Sequence, residues 1–181
     1  MGKTEILKIV EDDPWIMGVI NKADSLNLSD WLIGAGFVRN KVWDYLHGYN
    51  KPNLDTADID LVYYDPNGNN QEDDEKLSEE LKKETRVEWE VVNQFYAHKW
   101  NGLPPYKSTE DAISQWPETV TAIGVKLEDG KLKLVAPYGI DDLVNMIIRP
   151  SPKFNDINRV KERVQEKGWL EKWPKLKLVV E

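Results

Sequence analysis

Asp58-Ile59-Asp60 places two carboxylates at alternate positions just ahead of an apolar, β-rich run, Leu61-Val62-Tyr63-Tyr64. In a strand, residues i and i+2 project from one face, about 6.6 Å apart. Carboxylates so placed can share one or two Mg²⁺ (or Mn²⁺) ions. Such ions, about 3.5–4 Å apart, clamp the attacking and leaving oxygens of a phosphoryl or nucleotidyl transfer. Two like charges at the head of a buried strand are costly without a counter-ion. Val87-Glu88-Trp89-Glu90-Val91 again sets two acids on one strand face. A neighbouring strand could bring either Glu88 or Glu90 beside Asp58 and Asp60 as a third ligand. The plainer readings are a solvated strand end and an exposed acidic strand face.

A second group is Ile33-Gly34-Ala35-Gly36-Phe37-Val38-Arg39-Asn40. A strand runs into small residues and a helix begins. Backbone N–H groups of Gly34, Ala35 and Gly36 could then approach a phosphate closely, with the partial positive charge of the helix start behind them. Arg39, on the first turn, adds a fixed charge, with Asn40 beside it. Tight packing alone also explains such a turn.

These groups need a scaffold. Apolar spacing predicts helices over 5–26, with Asp13-Pro14 opening the second, and over 37–46, with Gly48 just past its end. An acid-rich helix is expected over 73–85 and one opened by the capping box Ser108-Thr109-Glu110-Asp111. Strands are expected around 30–33, 59–64 and 87–92. Thr119–Lys126 and Lys131–Val135 should form a hairpin about Asp129-Gly130. Helices over 140–148 and 159–173 and a short strand at 176–180 complete the chain. This alternation predicts an α/β (α+β) mixed sheet flanked by helices, with a C-terminal helical segment.

The chain has 181 residues, no cysteine and only two histidines, His47 and His98. Disulfides, thiolate metal sites, cysteine nucleophiles and three-histidine zinc sites are thereby excluded. Both histidines read as structural. The net charge of -8 disfavours a general nucleic-acid binder. The charge is uneven: Arg149–Lys177 holds nine Lys/Arg against four Asp/Glu, a local +5 that leaves -13 on the rest. The plain expectation for that tail is a solvated helix face. Residues 1–148 read as one domain and 149–181 as a basic helical segment packed on it. With no apolar run of membrane-spanning length and no signal peptide, a cytoplasmic protein is expected.

Taken in order, the pieces resemble known proteins. Ala35-Gly36-Phe37-Val38-Arg39-Asn40 is similar to the Gly-Gly-x-Val-Arg-Asp signature in the head domain of tRNA CCA-adding enzymes and bacterial poly(A) polymerases. Asp58-Ile59-Asp60 resembles their metal-binding Asp-x-Asp, and Glu90-Val91-Val92 the start of their third-carboxylate strand. A closer resemblance is to a bacterial family of standalone nucleotidyltransferase-like proteins of unassigned substrate. It is carried by Trp31 to Tyr49, Asp58 to Pro66, His98-x-Trp100-Asn101-Gly102, Pro105 to Ala112, Trp116-Pro117-Glu118-Thr119 and Arg149-Pro150. It covers roughly residues 25–175.

The resemblance implies the DNA polymerase beta superfamily fold. It also implies metal-dependent transfer of a nucleoside monophosphate from an NTP to a hydroxyl acceptor, small or macromolecular. Asp58, Asp60 and Glu90 would be the catalytic metal ligands. Gly34, Ala35, Gly36, Arg39 and Asn40 would hold the triphosphate. Two departures stand out: Ala35 replaces a glycine and Asn40 replaces an aspartate. The Arg-rich base-reading motifs of CCA-adding enzymes have no counterpart, so CCA addition to tRNA is not expected. The alternative reading is a catalytically inactive binding or interaction protein on the same fold.

Overall fold

A computed structural model describes residues 1–49 and 58–180. Helices α1 (Lys3–Glu11) and α2 (Pro14–Ser25) precede strand β1 (Leu32–Gly34) and helix α3 (Gly36–His47). Strand β2 (Asp58–Tyr63), helix α4 (Gln71–Thr85) and strand β3 (Glu88–Asn93) follow. Short helices α5 (Gln94–Ala97) and α6 (Thr109–Ile113) lead to the hairpin β4 (Gly124–Glu128) and β5 (Lys131–Val135). The chain ends with α7 (Asp141–Val144), β6 (Ile147–Ile148), α8 (Ile157–Glu166), α9 (Trp169–Lys172) and β7 (Lys177–Leu178). The expected mixed α/β architecture is present. No helix among the described residues is long and apolar enough to cross a membrane.

The sheet runs β3-β2-β1-β4-β5. β2 and β3 are parallel and joined through α4; the other pairs are antiparallel. Alternation sorts the side chains. Ile59, Leu61, Tyr63, Trp89 and Val91 enter the main core with Ile6, Ile20, Val38, Val42 and Trp43 of α1–α3. On the other face only part of the sheet is covered: Leu32 and Val62 pack under Ile113 with Trp116. Asp58 and Asp60, four and two residues before Val62, stand where that cover stops.

The edge strand β3 is closed by α4. Ser78 Oγ accepts from Val91 N–H at 3.0 Å and Asp74 Oδ2 from Asn93 N–H at 2.7 Å. Asp74, itself buried, also accepts from the hydroxyls of Tyr63 and Tyr96. These side chains satisfy edge donors that would otherwise invite another strand.

Three elements differ from the sequence expectation. The strand foreseen from Thr119 begins only at Gly124, because 118–123 is a buried turn with Thr121 and Ala122 N–H both donating to Glu118 O. The helix foreseen over 140–148 stops at Val144; Met146 takes a left-handed φ of 58°, and Ile147–Ile148 pair instead with Lys177–Leu178. The helix foreseen over 159–173 is broken by Gly168 at φ 59°. The last two breaks fold the C-terminal segment back, so that Val160, Val164, Trp169, Trp173 and Leu176 join the main core.

Gly124 is fixed by the close approach of β1. A Cβ there would lie 2.8 Å from Ile33 O. Gly124→Ala is expected to lower stability by about 1–3 kcal/mol through overpacking, read as a shifted midpoint in urea unfolding with the m-value unchanged.

Candidate active site

The in-register parallel pairing of β2 with β3 sets Asp58 opposite Glu88 and Asp60 opposite Glu90. Four carboxylates thus share one patch of sheet. Glu88 is drawn to α4 by an ion pair with Lys82 at 2.7 Å. Asp58, Asp60 and Glu90 all line one cleft of about 570 Å³. Burial, with Glu90 next and Asp58 adding less, pushes the Asp60 carboxyl up to about 7; Arg39 and Lys167 oppose the rise.

Among the described residues, no three His, Asp or Glu side chains already converge as a metal cage. The donors nevertheless fit a hard cation. All are carboxylate oxygens, and Mg²⁺ is commonly held by one or two carboxylates with waters and substrate phosphates completing its shell. The rise at Asp60 comes from burial first and the neighbouring carboxylates second, and a bound cation would offset both.

Opposite lies the start of α3. Gly34 belongs to β1, paired with Gly124, and a Cβ on it would lie 2.7 Å from Trp116 Cη2. Its lack of a side chain is therefore explained by packing. Ala35 sits at φ 53°, ψ -123°, a conformation glycine adopts far more readily. Its N–H donates to Ile123 O at 3.0 Å. The N–H groups of Gly36, Phe37 and Val38, on the first turn of a 12-residue helix, have no intrahelical acceptor. A Cβ on Gly36 would lie 3.1 Å from Asn40 Nδ2 and 3.3 Å from Arg39 Nη2, so both side chains fold back over the helix start.

Arg39 is buried at 5% exposure. Its Nε donates to Asn40 Oδ1 at 3.1 Å and its Nη1 to Thr121 Oγ1 at 2.7 Å. Its guanidinium lies 4.2 Å from the Trp169 ring centroid and 5.2 Å from that of Trp43. Burial pulls its pKa down to about 10, against which Glu118 is the strongest opposing charge. It is therefore cationic at neutral pH.

Thr121 in turn donates to Glu118 Oε2 at 2.7 Å. Glu118 has no exposed surface and accepts from Arg163 Nε at 2.7 Å. Arg163, Lys167 and Lys172 complete a cationic wall of the cleft. The basic tail is thus not simply a solvated helix face. Val160 and Val164 of α8 enter the core, and Arg163 and Lys167, spaced i, i+4, face the cleft. That spacing was visible in the sequence. Glu118 stood in the resembling Trp116-Pro117-Glu118-Thr119 segment with no role attached to it, and Thr121 carried no signal.

Both histidines stand away from the cleft. His47 Nδ1 donates to Trp43 O at 2.7 Å and its Nε2 accepts from Lys175 N–H at 3.1 Å. His98 packs edge-on against Tyr106, with ring centroids 5.9 Å apart.

Residues 21–178 match a protein-family model described as nucleotidyltransferase. A solved structure described as revealing a CCA-adding enzyme head domain superposes with a TM-score of 0.88 at 32% identity, over 99% of this chain and 97% of that one. A CCA-adding enzyme in complex with ATP gives a TM-score of 0.57 at 16% identity, over 97% of this chain and 42% of that one. The Thermotoga maritima CCA-adding enzyme complexed with tRNA gives 0.51 at 18%, over 92% and 46%. The chain thus spans less than half the length of these two enzymes, and the likeness to them is one of fold. No curated protein matches the chain.

Two outcomes test this geometry. Ala35→Gly relieves the left-handed strain and should raise unfolding stability by about 1 kcal/mol in urea titration. For Asp60, the ordinary value is 3.8 and the folded value about 7. Between these the folded state binds the extra proton, so stability falls as pH rises through that window and stays lower above it. In chelator, Asp60→Asn should match the wild type near pH 4 and exceed it by roughly 1–2 kcal/mol at pH 8, after allowance for the partial exposure of the group.

Proposed function

The chain belongs to this nucleotidyltransferase family, and from that premise we propose that its cleft moves a nucleoside monophosphate from an NTP to a hydroxyl acceptor with a divalent cation. The observation that carries the reading is one cleft lined both by Asp58, Asp60 and Glu90 and by Arg39, Arg163 and Lys167. In this reading Asp58 and Asp60 hold Mg²⁺ or Mn²⁺, with Glu90 as the third carboxylate. The bound cation supplies charge neutralisation at the reacting phosphate and the leaving pyrophosphate. The first-turn N–H groups of α3 and the Arg39 guanidinium bind the triphosphate, and Asn40 steadies Arg39 from the side. Lys167 and Lys172 extend the cationic wall from the C-terminal helices. Residues 1–148 carry the carboxylates and the helix start, and 149–181 contribute that wall. Catalysis is then positioning and electrostatics, with no covalent enzyme intermediate.

The acceptor presents a hydroxyl; the net charge of -8 favours a small molecule over a long nucleic acid. The second reading, a binding protein that keeps the fold without turnover, is favoured by one observation: no ready-made three-ligand cluster exists among the described residues.

Calorimetric titration with each NTP, with and without Mg²⁺, tests the proposal. Mg²⁺-dependent binding of at least one NTP is expected, weakened about 100-fold or more in Asp58→Asn/Asp60→Asn, equivalent to about 2.7 kcal/mol. Equal affinity in the double variant would overturn the metal assignment. Binding without turnover across acceptor pools would select the second reading.

A further inference from the structure

Position 40 is where the resembling signature carries an acid, and this chain has Asn40, a neutral amide that among the described residues accepts from Arg39 Nε. The charge that holds Arg39 lies elsewhere. Arg39 Nη1 donates to Thr121 Oγ1, and Thr121 donates onward to Glu118 Oε2, each at 2.7 Å. The direction of this chain is forced. A guanidinium only donates and an ionised carboxylate only accepts, so the hydroxyl must take one bond and give the other. The same carboxylate accepts from Arg163 Nε at 2.7 Å and, more loosely, from Nη2 at 3.4 Å. One fully buried acid therefore governs two cleft guanidinium groups, one from α3 and one from α8.

The turn bearing these residues is fixed to the site by backbone. Thr121 and Ala122 N–H donate to Glu118 O, Ile123 O accepts from Ala35 N–H, and Thr119 N–H donates to Arg149 O. Arg39 Nη2 is left at the helix start, beside Gly36, with no acceptor among the described residues. Restraining Nη1 thus turns the unbonded edge of the guanidinium toward the first turn of α3, where a polyphosphate would lie.

We propose that Thr121 and Glu118 are positioning residues: the Thr121 hydroxyl presets Arg39 for polyphosphate, and Glu118 ties that setting to Arg163 of α8 on the same cationic wall. The proposal rests on the nucleotidyl-transfer reading for its ligand, but not for the side-chain restraint itself. Glu118 variants risk misfolding, so the test uses Thr121→Val, which keeps shape and removes the hydroxyl, and Thr121→Ser, which restores it.

The ¹⁵N–¹H signals of the Arg39 guanidinium, assigned by their loss in Arg39→Lys, report the restraint without ligand. Titration with Mg²⁺ and inorganic tripolyphosphate reports its use. In the wild type, slow Nη1 proton exchange is expected. Thr121→Val should speed exchange about tenfold or more and weaken tripolyphosphate about tenfold, with a melting temperature within a few degrees. Thr121→Ser should recover both. Unchanged Arg39 exchange in Thr121→Val overturns the proposal, as does an equal loss in Val and Ser variants. If the wild type binds neither tripolyphosphate nor any NTP, the transfer reading falls, and the exchange comparison alone decides the positioning role.

Discussion

A carboxylate with no access to solvent must be paired or it destabilises the fold, and Glu118 is such a group. Its partners are drawn from distant parts of the chain: Arg163 directly, and Arg39 through the Thr121 hydroxyl. This requirement brings the C-terminal helix α8 against the body that carries the sheet. The aromatic packing continues the same junction, with Trp43 edge-on to Trp169 and Trp173 at centroid distances of 5.7 and 5.1 Å. Trp173 also donates to buried Asp44 at 2.7 Å. The junction holds one wall of the cleft in place, and the cations on that wall follow from it.

The other wall obeys the opposite logic. Register in a parallel pair is strict, because a one-residue slip would turn Ile59, Leu61, Trp89 and Val91 out of the core. The same register obliges Asp60 to face Glu90 and Asp58 to face Glu88. Apolar packing on one face of the sheet thus enforces like-charge crowding on the other. Glu88 escapes to Lys82, while Asp60 carries the electrostatic burden as a raised proton affinity. A site of this kind is stabilised by any cation that enters it, which is a physical reason for the carboxylates to stand where they do.

Local sequence carried much of this. The Asp13-Pro14 start of α2, the left-handed Gly48 after α3, the Ser108 cap and the Asp129-Gly130 hairpin all stand as their residue types predicted. The alternation in Asp58–Tyr63 and Glu88–Asn93 revealed both the buried faces and the acidic ones. What local pattern could not express was long-range pairing. The apolar spacing of 140–148 reads as helix, yet Ile147–Ile148 gains partners in Lys177–Leu178 that no short window contains. The basic run of 149–177 reads as solvated because its partner Glu118 lies 45 residues before Arg163. Gly34 reads in the sequence as part of an anion cradle, and the Trp116 indole that requires a glycine there is 82 residues further along the chain.

The two departures from the resembling signature are connected through these long-range contacts. Ala35 keeps the left-handed turn that a glycine would make more cheaply, and its N–H is anchored to Ile123 O. Asn40 leaves Arg39 without an adjacent acid, and the buried turn that ends in Ile123 also presents Thr121 to the guanidinium. One segment, 118–123, therefore supports both altered positions: it braces the strained turn through its backbone and carries the compensating charge through its side chains. Neither substitution by itself dismantles the helix start or releases the arginine. The altered signature is better understood as a redistribution of the same supports than as their loss.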